Sequence, residues 1–179
     1  MKVISGTLKG RKVKGFTTEG TRPTMDRVKE SLFAMIQDYL EDSIILDLFA
    51  GSGNLGIEGI SNGAKESYFV DKNKVCIEII YENLDNLNIE NGHILNYDYK
   101  KALEYFKNNK IKFDLIFLDP PYKFKIINEI IDYVLNNDLL TEKGLIVCET
   151  EETLNINYDD LKLLKSKEYG DTHISVYRR

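Results

Sequence analysis

The chain has 179 residues, of which 42% are hydrophobic and 30% are charged, and its net charge is −5. This balance is typical of a globular protein that buries a core, and it excludes a disordered or fibrous chain. No apolar run approaches the roughly 18–20 residues needed to cross a bilayer, and the first residues lack the apolar segment of a signal peptide. We therefore expect one cytoplasmic domain over residues 1–179, with no membrane partner.

The first 30 residues differ in charge from the rest. They hold eight lysines and arginines against three acidic residues, a net charge of +5, so the remainder carries −10. Short β-like runs broken by glycines predict a small hairpin within a basic extension over residues 1–23. Such a segment favours contact with a polyanion, although a solvated hairpin has the same composition. The candidate contact residues are Lys9, Arg11, Lys12, Lys14 and Arg22.

Amphipathic patterns predict the helices. After Arg22 and Pro23, Thr24 is the predicted N-cap of a first helix, with Asp26 in its first turn. The apolar face of this helix comprises Val28, Leu32, Met35, Ile36 and Leu40. A later helix over 73–88 is predicted to face inward through Val75, Ile79, Leu84 and Leu87.

Strands and helices alternate through the core, residues 24–179. Predicted strands cover 43–50, 66–71, 92–98, 113–119 and 144–150, and helices begin near Asn54 and cover 73–88, 99–109 and 124–137. Two last strands, 161–170 and 173–179, are close enough to form an antiparallel hairpin. The pattern predicts an α/β, Rossmann-like fold with a mostly parallel seven-stranded sheet and an antiparallel C-terminal hairpin. This ending resembles the S-adenosylmethionine (SAM)-dependent methyltransferase fold more than a plain Rossmann domain.

A glycine loop, GSGNLG at 51–56, follows the first strand of this sheet. Gly51 and Gly53 allow a tight turn and close approach of a ligand, which suits both NAD and SAM. Asp47 lies within the end of the strand, where a carboxylate opposes a pyrophosphate and suits the ammonium group of SAM. Asp71 ends the second strand and can accept hydrogen bonds from ribose hydroxyls. Asp98 ends the predicted third strand and could accept a hydrogen bond from an adenine amino group. SAM is therefore favoured over NAD.

The fourth strand runs into Asp119-Pro120-Pro121-Tyr122. The prolines lack N–H donors and keep their carbonyl acceptors, and Asp119 adds a carboxylate acceptor. Tyr122 supplies a flat surface for stacking. The combination suits a planar ring that carries an exocyclic amino group.

Cysteine and histidine give no pattern of a metal or redox site. Cys76 and Cys148 stand apart and are predicted to be buried thiols. His93 and His173 lie on separate predicted strands, and both are predicted to be structural or solvated. We expect no metal.

Several motifs resemble one family. The pattern [DN]-P-P-[YFW] is similar to the catalytic motif of amino-group methyltransferases. Segments 46–64, 4–33 and 169–179 resemble the RsmD family, which methylates a guanine N2 of small-subunit ribosomal RNA. Asn54, Gly59 and Asn62 depart from the residues usual at their positions in that family.

The resemblance implies residue roles. The target base would be held by Asp119, Pro120, Pro121 and Tyr122. The methionine end of SAM would lie against Asp47, Gly51 and Gly53, with Phe49 also at the cofactor, the ribose at Asp71 and the adenine at Asp98. Arg22, Pro23 and Thr24 would close the cofactor pocket or touch RNA.

The implied substrate is ribosomal RNA in an assembled small subunit, with the basic hairpin docking beside ribosomal proteins. Three enzyme or ligand alternatives stay open: a DNA adenine-N6 methyltransferase, a protein glutamine-N5 methyltransferase, and an NAD- or nucleotide-binding protein. The glutamine enzymes usually carry Asn where this chain has Asp119. A non-catalytic RNA-binding protein is the fourth alternative.

Overall fold

A computed structural model describes residues 1–15, 23–120, 125–151, 154 and 156–179. Within them, one sheet has the strand order β3-β2-β1-β4-β5-β7-β6. The strands are β1 (Ile44–Asp47), β2 (Glu66–Val70), β3 (Gly92–Leu95), β4 (Phe113–Leu118), β5 (Leu140–Thr150), β6 (Lys162–Tyr169) and β7 (Thr172–Arg178). The helices are α1 (Pro23–Ile36), α2 (Asn54–Ser61), α3 (Lys74–Leu87), α4 (Tyr99–Asn108) and α5 (Lys125–Asn136).

The directions of the strands confirm the predicted fold class. Strands β1 to β5 pair in parallel, whereas β7 is antiparallel to both β5 and β6. Strand β5 begins four residues earlier than predicted, because Leu140 pairs with Phe113 ahead of an irregularity in the register. The polar residues 141–143 concealed this start in the sequence.

Buried side chains alternate between the two faces of the central strands. In β4, Leu115 and Phe117 pack in a cluster with α1, whereas Ile116 and Leu118 pack in a second cluster with α4 and α5. Helices α2 and α3 cover β2 on the α1 side, through a third cluster around Phe69. Both faces of the sheet are therefore covered, which explains the continuous apolar runs of its strands.

The helix predictions need two corrections. Helix α1 begins at Pro23, so Thr24 lies inside the helix and is not its N-cap. Proline suits this first position, because its missing N–H is unpaired there in any helix. In α3, Ile79, Leu84 and Leu87 are buried as predicted, but Val75 is 54% exposed, since it lies one residue outside the buried stripe that begins at Cys76.

The predicted N-terminal hairpin is short. Its two arms meet in a single antiparallel bridge between Lys2 and Lys12. Val3 and Val13 are buried in the cluster formed by α2 and α3. In the described part of the chain, no helix combines the length and the apolar character that a membrane span requires.

Candidate functional site

The carboxyl ends of the parallel strands meet at one edge of the sheet. From β1 the chain continues to β2 and β3 on one side, whereas β4 and β5 lie on the other side. Ligands of doubly wound proteins bind in the crevice at such a point. The glycine loop follows β1 and Asp119 follows β4, so the structure brings the two predicted parts of the site to the same point.

The glycine loop has a backbone shape that depends on its glycines. Gly51 and Gly53 have φ angles of 55° and 79°, a left-handed region that other residues rarely adopt. Gly53 is the N-cap of α2 and has no side chain to cap it. Asp47 takes over this role, because its Oδ2 accepts a hydrogen bond from the Gly56 N–H at 3.1 Å. The loop thus joins a helix N-terminus to a carboxylate.

Asp47 is 2% exposed. Burial raises the pKa of its carboxyl group to about 7, and the nearby charges of Asp119 and Asp71 raise it further against the opposing hydrogen bond from Gly56. A carboxylate in this environment is stabilised by a cation that replaces the lost water. The site therefore suits an ammonium group and disfavours a pyrophosphate.

Asp71 lies beside the loop, directly after β2. Its Oδ2 accepts from the Gly51 N–H at 3.0 Å, and its Oδ1 accepts from the Asn73 N–H at 2.8 Å. Each carboxylate oxygen can accept a further hydrogen bond. Asp71 therefore shapes the loop and keeps the capacity to accept a hydroxyl group.

Asp98 does not end a strand, which corrects the sequence prediction. Strand β3 stops at Leu95, and Asp98 is the N-cap of α4, where its Oδ1 accepts from the Lys101 N–H at 3.0 Å. Asp98 is exposed, and its other carboxylate oxygen does not take part in that bond, so it could still accept from an adenine amino group. The adenine contact stays a prediction. Phe49 lies next to α4, with its ring 5.9 Å from the Tyr99 ring.

Asp119 and Pro120 lie directly after β4. Asp119 is accessible to solvent, as a group that meets a ligand must be, yet it lies among enough protein atoms that burial raises the pKa of its carboxyl group. Pro121, Tyr122 and Arg22, which the sequence also assigns to the site, lie outside the described residues, as does the side chain of Thr24.

Glu149 is a candidate site residue that the sequence analysis missed. Leu118 pairs with Cys148 across β4 and β5, so Asp119 and Glu149 are the next residues along adjacent parallel strands. Burial, followed by the charge of Asp119, raises the pKa of the Glu149 carboxyl group. The signal was present, since Glu149 follows an apolar strand segment just as Asp71 and Asp119 do.

The basic residues of the hairpin fall into two groups. Lys9 and Lys12 are exposed and make no ion pair with any residue that the structure describes. The Arg11 guanidinium donates to the Asn86 carbonyl at 2.8 Å, and Lys14 forms an ion pair with Glu82. Of the described candidate contact residues, Lys9 and Lys12 are therefore the two whose charges have no ion-pair partner in the described part of the chain.

Histidine and cysteine side chains have local packing roles. His93 stacks on Tyr68, with ring centroids 4.5 Å apart, and His173 lies 3.5 Å from a Glu168 oxygen. Cys76 and Cys148 are buried as predicted, and burial raises the pKa of both thiols. Across the described ranges, no group of three His, Cys, Asp or Glu residues could hold a metal ion.

Comparison with known proteins decides the family. Residues 1–178 match the family described as "Conserved hypothetical protein 95". The chain is 36% identical to ribosomal RNA small subunit methyltransferase D of Haemophilus influenzae, over 99% of this chain and 93% of that protein. The chain belongs to the RsmD family. This RsmD-family chain is also 30% identical to the Escherichia coli protein of the same name, over 100% of this chain and 90% of that one.

Solved structures confirm the fold of this RsmD-family member. "Putative methyltransferase yhhF" of Escherichia coli superposes with a TM-score of 0.87 at 27% identity, over 100% of this chain and 97% of that one. A methyltransferase-fold protein solved with S-adenosylhomocysteine (SAH), SMU.776, has a TM-score of 0.71 at 15% identity, over 89% of this chain and 50% of that one. The fold is the Rossmann-like fold of SAM-dependent methyltransferases, as predicted.

Proposed function

We propose that this protein transfers a methyl group from SAM to the exocyclic N2 amino group of a guanine in small-subunit ribosomal RNA, presented within an assembled particle. The observation that carries the proposal is the arrangement of one sheet edge. A buried carboxyl group, Asp47, lies beside the glycine loop, and Asp119 follows the neighbouring strand β4. One side suits a cationic cofactor, and the other side offers acceptors to an amino group.

The cofactor side fits SAM by its chemistry. Asp47 and the glycine loop suit the ammonium group of a methionine moiety, and Asp71 suits the ribose hydroxyls. Phe49 and the N-terminus of α4 lie farther along the same edge and would border the adenine. When bound, SAM supplies a methyl group on a positively charged sulfur.

The target side fits an amino group on a planar ring. Asp119 and the Pro120 carbonyl accept the two N–H groups of the amine, and Tyr122 stacks on the ring. These hydrogen bonds localise the nitrogen lone pair, which is otherwise delocalised into the ring. They also stabilise the positive charge that develops on nitrogen as the C–N bond forms and the C–S bond breaks.

The surplus proton leaves the methylated nitrogen after transfer. Asp119 is the first acceptor, because its carboxylate already holds an N–H of the amine. Its burial favours the protonated form, since burial raises the pKa of the carboxyl group. Solvent then takes the proton from the accessible Asp119.

The ribosomal substrate is supported by the relatives and by the hairpin. Three relatives that match over 99–100% of this chain carry names of ribosomal RNA methyltransferases. Lys9 and Lys12 project from the hairpin and can contact phosphates. A base must leave its stack to reach the edge of the sheet, and folded RNA presents such unstacked bases.

The test is a transfer of labelled methyl groups to four substrates. The purified protein would receive isotopically labelled SAM with unmethylated small ribosomal subunits, the same RNA without protein, duplex DNA, and a release-factor protein. Label in the subunit above the level in naked RNA supports the proposal. Label only in DNA or only in protein overturns the substrate, and no label in any of the four overturns the activity.

A further inference from the structure

The N-terminal hairpin (residues 1–15) is fixed to the body of the protein. Val3 and Val13 are 2% and 3% exposed, and they pack in one cluster with Ile57 of α2 and Ile80 of α3. The side chains that attach the hairpin are thus removed from water. Its exposed lysines and its buried valines give the hairpin two distinct faces.

A buried amide connects the hairpin to the glycine loop. Asn83 of α3 is 2% exposed. Its Nδ2 donates to the Lys14 carbonyl at 3.0 Å and to the Ser52 carbonyl at 2.9 Å, and its Oδ1 accepts from the Lys14 N–H at 2.8 Å. Both amide protons and the amide oxygen are therefore bonded, and together they fix Lys14 relative to Ser52.

A buried ion pair makes a second connection. Lys29 of α1 and Glu58 of α2 are 4% and 0% exposed, with 2.9 Å between Nζ and Oε2. The Lys29 ammonium also donates to the Lys2 carbonyl at 2.9 Å and to Asn54 Oδ1 at 2.8 Å. Glu58 accepts in turn from the Ser5 N–H at 2.8 Å. Removing one partner of such a network leaves the other charge buried and unpaired.

The two connections reach the glycine loop on either side of Gly53, because Asn83 binds Ser52 and Lys29 binds Asn54. We propose that the hairpin is a structural part of the cofactor site, and that Asn83 and Lys29 are positioning residues that hold the glycine loop in its ligand-binding shape. The proposal rests on the proposed function only in taking this loop as the SAM site. By linkage, docking of the hairpin and binding of SAM favour one another.

The test compares two ways of loosening the hairpin. Asn83→Leu removes the amide bonded to Ser52, whereas Ser61→Ala removes hydrogen bonds to Ser5 and Leu8 at the other end of α2. Both variants should lower thermal stability. We expect Asn83→Leu to weaken SAM binding about tenfold in calorimetry, and Ser61→Ala to change it less than about twofold. In turnover, the KM for SAM should rise in Asn83→Leu while kcat with the subunit changes little.

A result in which both variants lose SAM affinity in proportion to their loss of stability would overturn the positioning role. So would wild-type affinity in Asn83→Leu. If that variant does not fold, hydrogen exchange in the wild-type protein decides. SAH should slow exchange at the Val13 and Lys14 amides, and unchanged exchange contradicts the linkage. If the wild-type protein does not bind SAM, the proposed function itself is contradicted, and not only the positioning role.

Discussion

The two halves of the sheet edge differ in how their carboxylates are bonded. On the β1–β2 side, Asp47 and Asp71 accept hydrogen bonds from backbone N–H groups of the glycine loop and its neighbours. On the β4–β5 side, the carboxylates of Asp119 and Glu149 have no hydrogen-bond donor among the described residues. Backbone hydrogen bonds thus hold the carboxylates of the first half, whereas those of the second half have acceptor oxygens without a donor in the described part of the chain.

This difference suggests that the two halves bind different ligands. Carboxylates that already organise a loop can bind a cofactor with little rearrangement. Burial raises the pKa of both carboxyl groups on the β4–β5 side, and neither has a donor among the described residues. A ligand that brings N–H groups can supply those hydrogen bonds. On the proposed function, the β4–β5 side holds the amino group of the target base, so variants of the two halves should have separable effects.

The largest separation is expected at Asp119. Asp119→Ala removes an acceptor of the amine, so kcat should fall by about 10²–10³ or more, while SAM affinity stays within about twofold of wild type. Single-turnover methyl transfer and calorimetry measure the two quantities. Asp38→Ala, which changes an exposed acid at the opposite end of the strands, is the control and should keep full activity. A loss of SAM binding in Asp119→Ala would contradict the assignment of Asp119 to the target side.

The reverse pattern is expected at Asp47. In Asp47→Asn the amide oxygen can still accept from Gly56, but it no longer pairs with an ammonium group, so SAM affinity should fall about 10–100-fold. Calorimetry with SAM measures this loss. Unchanged affinity for SAM would show that Asp47 does not contact the cofactor.

The Asp47→Asn variant should also change how thermal stability depends on pH. Folding raises the pKa of Asp47 from 3.8 to about 7, so ionisation of this buried group costs the wild-type protein stability as the pH rises through that interval. Asp47→Asn lacks this cost. Its melting temperature without SAM should therefore exceed that of wild type at pH 8 by more than it does at pH 4.

Tyr122 tests the target half by stacking. Tyr122→Ala should lower kcat/KM for the subunit by about 5–150-fold, since stacking on an aromatic ring contributes about 1–3 kcal/mol per base. Tyr122→Phe keeps the ring and should stay close to wild type. Equal losses in the two variants would exclude stacking as the role of Tyr122.

The pH profile sharpens the comparison further. Asp119 is a stronger acceptor for an N–H as a carboxylate than as a carboxylic acid, and its pKa is raised by burial, so activity should rise with pH through this raised value. The charge of Asp119 raises the pKa of Glu149, and because such coupling is reciprocal, Glu149→Gln should lower the pKa of Asp119. The pH of half-maximal kcat/KM should therefore be lower in Glu149→Gln than in wild type. A shift to higher pH, or none, would show that the two carboxyl groups do not interact during catalysis.

The smallest effects are expected at the hairpin surface. The double variant Lys9→Ala/Lys12→Ala should raise the KM for the subunit a few-fold and reduce the salt dependence of binding by about 0.7–0.9 in log–log slope per lost phosphate contact. SAM affinity should not change. A control that removes Lys143 and Lys162, two exposed lysines on strands far from the hairpin, should leave the salt slope intact.

The sequence predicted the residues of the sheet edge because of a general rule of parallel sheets. Acidic residues that end buried strands come together wherever those strands run side by side, and Asp47, Asp71 and Asp119 follow that rule. Glu149 obeys it too and could have been included. Asp98 shows its limit, since β3 ends three residues early and the carboxylate caps a helix.

Contacts between distant segments could not be predicted in this way. The bonds of Asn83 to Lys14 span 69 residues, and they depend on how the hairpin packs against α2 and α3. A polar residue within the buried stripe of α3 was a local sign that some partner exists. Nothing in the sequence pattern identified Lys14 or Ser52 as that partner.

The most direct test of the central claim identifies the atom that is methylated. Small subunits that lack native methylation would be incubated with the protein and deuterium-labelled SAM, and their nucleosides would be separated and fragmented by mass spectrometry. Deuterium in N2-methylguanosine, absent with Asp119→Ala, is the expected result. Deuterium on a ring nitrogen or on ribose would contradict the account, because neither offers the exocyclic amino group that Asp119 and Pro120 are proposed to hold.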